Sequence, residues 1–166
     1  MAAFLAVPVL ILAFMLQLAI VSNLPLLGGT ADLILIILVV WAIQERTKTL
    51  WIWMLIGGGL VVLVSALPGI TALLGYGLAV GIVRLLTRRI WQVPILVLFL
   101  GIVLGTLAQH LFSLVMLFFD GRPLPLQESL TWVTLPSILL NLILSLPVYG
   151  LVSDLARLVN PNEATA

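Results

Sequence analysis

The chain has 166 residues, 63% apolar and 8% charged, with a formal net charge of +1. A soluble domain carries about 25% charge, whereas the roughly 105 apolar residues here equal about five membrane spans of about 20 residues. With a mean hydropathy of +1.35, the composition is that of an integral membrane protein. Seven basic against six acidic residues leave no basic patch for nucleic acid, and the absence of cysteine excludes disulfides, thiolate metal sites and thiol catalysis.

A first helix is expected over about 3–22. The start, Met1-Ala2-Ala3-Phe4, lacks the basic residues of a signal peptide, and the apolar run continues to Val21. Asn23 to Thr30, containing Pro25, Gly28 and Gly29, reads as a turn. A second span over about 31–43 ends before Gln44, Glu45, Arg46, Thr47 and Lys48. Its apolar run, Leu33 to Ile43, is short, so it either begins within the preceding loop or crosses a thinned bilayer.

Spans three and four are expected over 50–67 and 70–86, separated only by Pro68 and Gly69. Each covers roughly 24–27 Å, just under a core of about 30 Å. They either cross fully or form a re-entrant hairpin. Full crossing is preferred, because a re-entrant pair needs protein cover. A fifth span follows over about 93–119, then a polar loop from Asp120 to Ser129, then a sixth span over about 130–151. The tail is expected to end as a frayed amphipathic turn before Asn160 and Pro161.

Six spans place both termini on one face. That face collects Arg46, Lys48, Arg84, Arg88, Arg89 and Arg157, and the other holds only Arg122. The positive-inside rule makes the first face cytoplasmic. Trp41, Trp51, Trp53, Trp91 and Trp132 lie near the expected helix ends, where indole rings favour the membrane interface. The expected fold is therefore an all-α integral membrane bundle of six transmembrane helices, N- and C-termini cytoplasmic, forming a single domain.

Polar groups within spans are costly and worth weighing one by one. His110, beside Gln109, is the sole histidine, and Asp120 is about 15 Å away along the helix, too far for a direct pair. A packed or hydrogen-bonded histidine is preferred over a proton relay or ligand. Asp32 opens the second span near its outer end as a helix-capping carboxylate with help from Thr30, the alternative being ion or substrate binding. Asp32, Gln109 and His110 form the candidate polar outer cavity. Gln17 in the first span has a hydrogen-bonding amide with no partner named by the sequence.

Ser137, Asn141 and Ser145 recur every four residues and form one polar stripe on the sixth helix. Pro136 and Pro147 bracket it, each freeing a carbonyl one turn earlier. The stripe either glues two helices or lines a small cavity, and glue is preferred. Gly77 with Gly81, and Gly101 with Gly105, have helix-packing spacing; Gly57, Gly58 and Gly59 also permit close approach, and Ala2 with Ala6 is a weaker pair. Packing within the chain and homo-oligomerisation explain such spacings equally well. Hydrolase, zinc-protease and phosphate-loop signatures and paired intramembrane carboxylates are missing, so a non-catalytic protein without a cofactor or metal is expected.

Three stretches carry a family likeness. Leu135-Pro136-Ser137-Ile138-Leu139-Leu140-Asn141-Leu142, followed by Pro147, Val148, Tyr149, Arg157 and Leu158, resembles the last helix of the bacterial rod-shape-determining protein MreD family. Gly59-Leu60, Ser65, Pro68-Gly69 and Leu74-Gly75-Tyr76-Gly77-Leu78 resemble the family's third-to-fourth-span region, and Asp32 to Val40 its second helix. The stretch Val61-Val62-Leu63-Val64 departs from the pattern, since family members often carry an aspartate there. The resemblance implies a scaffold in the bacterial cytoplasmic (inner) membrane that binds MreC. It would act beside MreB, RodA and a penicillin-binding transpeptidase in lateral peptidoglycan synthesis and cell-shape maintenance.

MreD-like proteins are also similar in fold to the substrate-binding component of energy-coupling-factor transporters. The alternative reading is therefore the substrate-binding subunit of a vitamin importer. That reading needs a polar, partly aromatic pocket beneath the outer loops, for which Asp32, His110, Asp120 and Glu128 are the candidate contributors from the outer half.

Overall fold

The computed structural model describes residues 2–19, 21–23, 28–44, 49–65, 67–89 and 93–159. Six helices follow one another: α1 (Ala2–Ala19), α2 (Leu33–Ile43), α3 (Leu50–Val62), α4 (Gly69–Arg89), α5 (Pro94–Phe119) and α6 (Leu126–Val159). A short 3-10 turn, Val21–Asn23, follows α1, and there are no strands among the described residues. Helices α4, α5 and α6 are long and apolar enough to cross a membrane, at 21, 26 and 34 residues. The chain is a helical membrane protein.

Helix α2 has 11 residues and is therefore about 16 Å long, roughly half the thickness of a 30 Å hydrocarbon core. Every residue from Ile34 to Ile43 is buried. A helix that is apolar all round needs cover on every side, and α2 has it, touching each of the other five helices.

Side-chain contacts fix the helix directions. Gly75 meets Gln109, Gly105 meets Ala79 and Gly101 meets Val83, so α4 and α5 run antiparallel with a four-residue step on each. Gly57 of α3 packs on Ile34 and Leu38 of α2 while Trp53 stacks on Trp41, and Gly58 meets Leu73 of α4 while Gly69 meets Val62, so both pairs are again antiparallel. Helix α6 runs parallel to α2: Asp32 bonds to Asn141 at one end and Gln44 to Ser153 at the other. The helices thus alternate in direction along the chain. Arg84, Arg88, Arg89 and Arg157 gather toward one end of the bundle, with Arg122 at the other.

Several expectations are corrected. Helix α3 stops at Val62 rather than near 67. The Leu63 N–H donates to the Leu60 carbonyl and Ser65 Oγ accepts from the Leu67 N–H, so the backbone turns before Pro68. Helix α6 runs from Leu126 to Val159 rather than 130–151, its last turns held by buried Val152, Ser153 and Ala156. The tail up to Val159 is helix, not a frayed turn. Trp41 and Trp53 are not interfacial: both are 0% exposed and stack at 3.9 Å between ring centroids. Trp51 and Trp132 are exposed at the surface. The expectations for Pro25, Glu45, Arg46, Thr47, Lys48, Trp91, Asn160 and Pro161 lie outside the described residues, as does the side chain of Ala2.

Candidate functional site

The site is built on a short stretch of non-helical backbone. Residues 28–32 run extended into α2 and lie along α6. The Gly28 N–H donates to the Trp132 carbonyl at 3.0 Å, the Thr30 N–H to Ser137 Oγ at 3.1 Å and the Asp32 N–H to Asn141 Oδ1 at 2.7 Å. Two residues of extended chain advance about 6.6 Å, and four to five residues of helix about 6–7.5 Å. Alternate N–H groups therefore meet successive turns of α6 in register. Pro136 makes the first bond available, because a proline four residues after Trp132 leaves that carbonyl without its helical donor. Residues Ser129–Thr134 adopt the wider π-helical turn there, the Leu135 N–H donating to the Leu130 carbonyl.

Extended backbone at membrane depth is tolerated only when protein satisfies it. The stripe of Ser137 and Asn141 supplies that cover, and both side chains are buried. Gly29 is buried against the rail. A Cβ there would lie 2.6 Å from the Ser137 nitrogen and 2.7 Å from the Val133 carbonyl oxygen.

Asp32 ends the extended stretch and caps α2, its Oδ1 accepting from the Leu35 N–H at 2.9 Å. The Ile34 N–H is taken by Gln17 Oε1 of α1 at 3.3 Å. Unsatisfied N–H groups at a helix start need such partners. On its other oxygen Asp32 accepts from the Tyr76 hydroxyl at 2.7 Å, and the Gln109 side chain interacts with both Asp32 and Tyr76. Asn141 Nδ2 donates to Thr106 Oγ1 at 3.0 Å. Gln17, Asp32, Tyr76, Thr106, Gln109 and Asn141, from five helices, make one polar node at the head of the central helix.

The node is deeper than the sequence implies. Gln109 lies ten residues before the end of α5 and Tyr76 seven after the start of α4, about 10–15 Å inside the bundle. Asp32 is not at the outer rim, because the chain descends along α6 before α2 begins. Thr30 takes part through its backbone rather than as a cap.

The expected outer cavity also divides. Asp32 and Gln109 belong to the node. His110, one residue on, faces a separate cavity of ≈ 260 Å³ and sits 3.0 Å from Thr134 Oγ1 through Nδ1. Asp120 and Glu128 are exposed and lie in neither place. Tyr76 and Thr106 were missed as site residues. Their signal was position: Tyr76 shares an inward face of α4 with Ala72, Ala79 and Val83, and a hydroxyl on such a face needs a partner.

The remaining candidates separate by contact. Gly101 and Gly105 pack on α4 and α2, so their spacing serves the chain's own interior. Gly77 and Gly81 do not pack on a neighbouring helix, since a Cβ at either would meet nothing within 4 Å. They face an apolar groove of ≈ 660 Å³ between α3 and α4, walled by Trp51, Leu55, Leu74, Leu78 and Leu85. Ser145 is buried and donates to the Leu142 carbonyl at 2.7 Å, whereas Pro147 is exposed. Glycine costs a helix roughly 0.5–1 kcal/mol relative to alanine. Gly77→Ala and Gly81→Ala are therefore expected to stabilise the isolated protein by about that amount each, read as a higher midpoint in detergent unfolding. A lower midpoint for either would mean that the groove closes on these glycines.

No family model, curated protein or solved structure matches the chain.

Proposed function

We propose that the chain is an MreD-like, non-catalytic scaffold of the bacterial inner membrane. It crosses the bilayer six times with both termini cytoplasmic and binds MreC, beside MreB, RodA and a penicillin-binding transpeptidase, in lateral wall synthesis. The observation that carries this reading is a convergence. Asp32, Tyr76, Pro136, Ser137 and Asn141, drawn from the three stretches that resemble the family, meet at the polar node and its rail. Residues scattered over the sequence would share a family pattern for this reason if the pattern encodes the seating of α2.

The alternating helix directions and the end-sorted arginines support the orientation. The node supports a structural role, because its carboxylate, amides and hydroxyls are engaged with one another. The vitamin-importer alternative is weaker on this geometry. The four acidic and histidine side chains that are its candidate contributors do not share one pocket, and the cavity at His110, ≈ 260 Å³, is below the roughly 300–1,000 Å³ of typical ligand pockets.

The test is co-purification in mild detergent with the MreC encoded in the same genome. A stable complex is expected on size exclusion. Separate elution of two folded proteins would sink the assignment, and a vitamin-like molecule found by mass spectrometry in the purified protein would favour the importer. The Gly77→Ala and Gly81→Ala variants, carried through the same experiment, report whether the α3–α4 groove takes part.

A further inference from the structure

The cavity beside the α5–α6 loop is lined by His110, Ser113, Ser129 and Thr134 together with leucines that include Leu117 and Leu124. Its hydrogen-bonding character follows from proton counting. Thr134 Oγ1 donates to the Ser129 carbonyl at 3.2 Å and lies 3.0 Å from His110 Nδ1. A hydroxyl has one proton to give. Both contacts are satisfied together only if Nδ1 carries a proton and Thr134 accepts it. The network thereby assigns the Nδ1–H tautomer to the neutral ring.

Nε2, on the opposite edge of the ring, is then a lone-pair acceptor with no protein partner among the described residues. Ser113 Oγ donates to the Gln109 carbonyl at 2.9 Å, so it too offers only lone pairs. Ser129 Oγ has no protein partner among the described residues and can give or accept. Among the described residues, no Asp, Glu, Lys or Arg lines the cavity.

We propose that this cavity binds the hydroxyl group of a neutral alcohol with an apolar chain, the hydroxyl donating to His110 Nε2. Two acceptors call for a donor, and the lack of charge in the lining gives an ammonium or phosphate no counter-charge. The leucines cover the carbon chain. The hydroxyl belongs either to a free alcohol or to a neutral lipid with a free glycerol hydroxyl, as in a diacylglycerol.

The single histidine makes the test direct. Protein labelled with ¹⁵N-histidine is placed in phosphatidylcholine nanodiscs, whose headgroups have no hydroxyl, and titrated with hexan-1-ol or with hexane. The resting spectrum should show protonated Nδ1 and bare Nε2. Hexanol should shift Nε2 saturably while hexane leaves it in place. Phosphatidylcholine discs doped with diacylglycerol that move Nε2 without added alcohol identify the lipid as the source; doped discs that leave it still, with hexanol active, identify a free alcohol. Val133→Trp, at a lipid-facing wall position that is 39% exposed, should fill the cavity and abolish the shift. An Nε2–H resting tautomer, equal shifts from hexane and hexanol, no shift from either hydroxyl source, or a shift that persists in Val133→Trp would overturn the proposal.

Discussion

Asn141→Leu is expected to cost the purified protein about 2–3 kcal/mol of unfolding free energy. The side chain is 1% exposed and makes two bonds: its Oδ1 accepts from the Asp32 N–H and its Nδ2 donates to Thr106 Oγ1. These losses are unequal. Thr106 can rotate its hydroxyl toward a carbonyl of its own helix, as Thr87 does at 2.8 Å from the Val83 oxygen. The Asp32 N–H has no such recourse, being held in extended backbone with φ −117° and ψ 93°.

Interhelical side-chain bonds in membranes average only about 0.6 kcal/mol, because lost partners are readily replaced. An orphaned backbone donor at the head of α2 should exceed that value. Unfolding followed by tryptophan fluorescence is the measurement, since the stacked Trp41–Trp53 pair reports the core. Thr106→Val should cost less than Asn141→Leu, with a coupling between the two of about 0.5–1.7 kcal/mol. A loss below about 0.5 kcal/mol in Asn141→Leu would show that the start of α2 does not depend on α6.

The contrast between these bonds explains what the sequence could and could not reveal. Helix α5 was legible nearly to the residue, because a long apolar run between Trp91 and Asp120 has one economical structure in lipid. Asp32 as a cap was legible because a carboxylate before an apolar run satisfies the exposed N–H groups of the helix start. The stripe at Ser137, Asn141 and Ser145 was legible from its period; Ser137 and Asn141 bond to neighbouring segments, whereas Ser145 bonds within its own helix.

The other half of the bond was hidden. Residues 28–30 read as the end of a turn because Gly28 and Gly29 are turn residues; Gly28 does lie in a turn, but Gly29 serves close approach to α6. Tyr76 is marked only by the inward face it shares with Ala72, Ala79 and Val83, which calls for a partner to its hydroxyl without naming one. The Trp41–Trp53 stack inverted a sound expectation: indoles near helix ends do favour the interface, but α2 is too short for its end to reach lipid on any side. Composition reports that a residue is apolar; only the neighbours decide whether its cover is lipid or protein.

Gly29→Val should have the largest effect, preventing recovery of folded protein, and Gly29→Ala should cost more than about 3 kcal/mol. Overpacking usually costs about 1–3 kcal/mol when side chains can yield, but here they cannot. The added carbon would sit 2.6 Å from the Ser137 nitrogen, 2.7 Å from the Val133 oxygen and 2.8 Å from Pro136 Cβ. Two of these are backbone atoms and the third belongs to a proline ring. Relief requires the extended segment to move off α6, and its N–H bonds at Gly28 and Thr30 already span 3.0 and 3.1 Å. A retreat of about half an ångström takes both past useful length, leaving N–H groups stranded where each unsatisfied one costs several kcal/mol.

The matched control is Gly59→Ala. Its added carbon meets nothing within 4 Å, and replacing a helical glycine should stabilise by about 0.5–1 kcal/mol. The same chemical change thus has opposite signs at two glycines, and the sign depends only on whether backbone lies alongside. If Gly29→Ala purifies as a monodisperse protein with wild-type unfolding, residues 28–32 do not lie against α6. The node would then lose the rail that seats Asp32 at the head of the central helix.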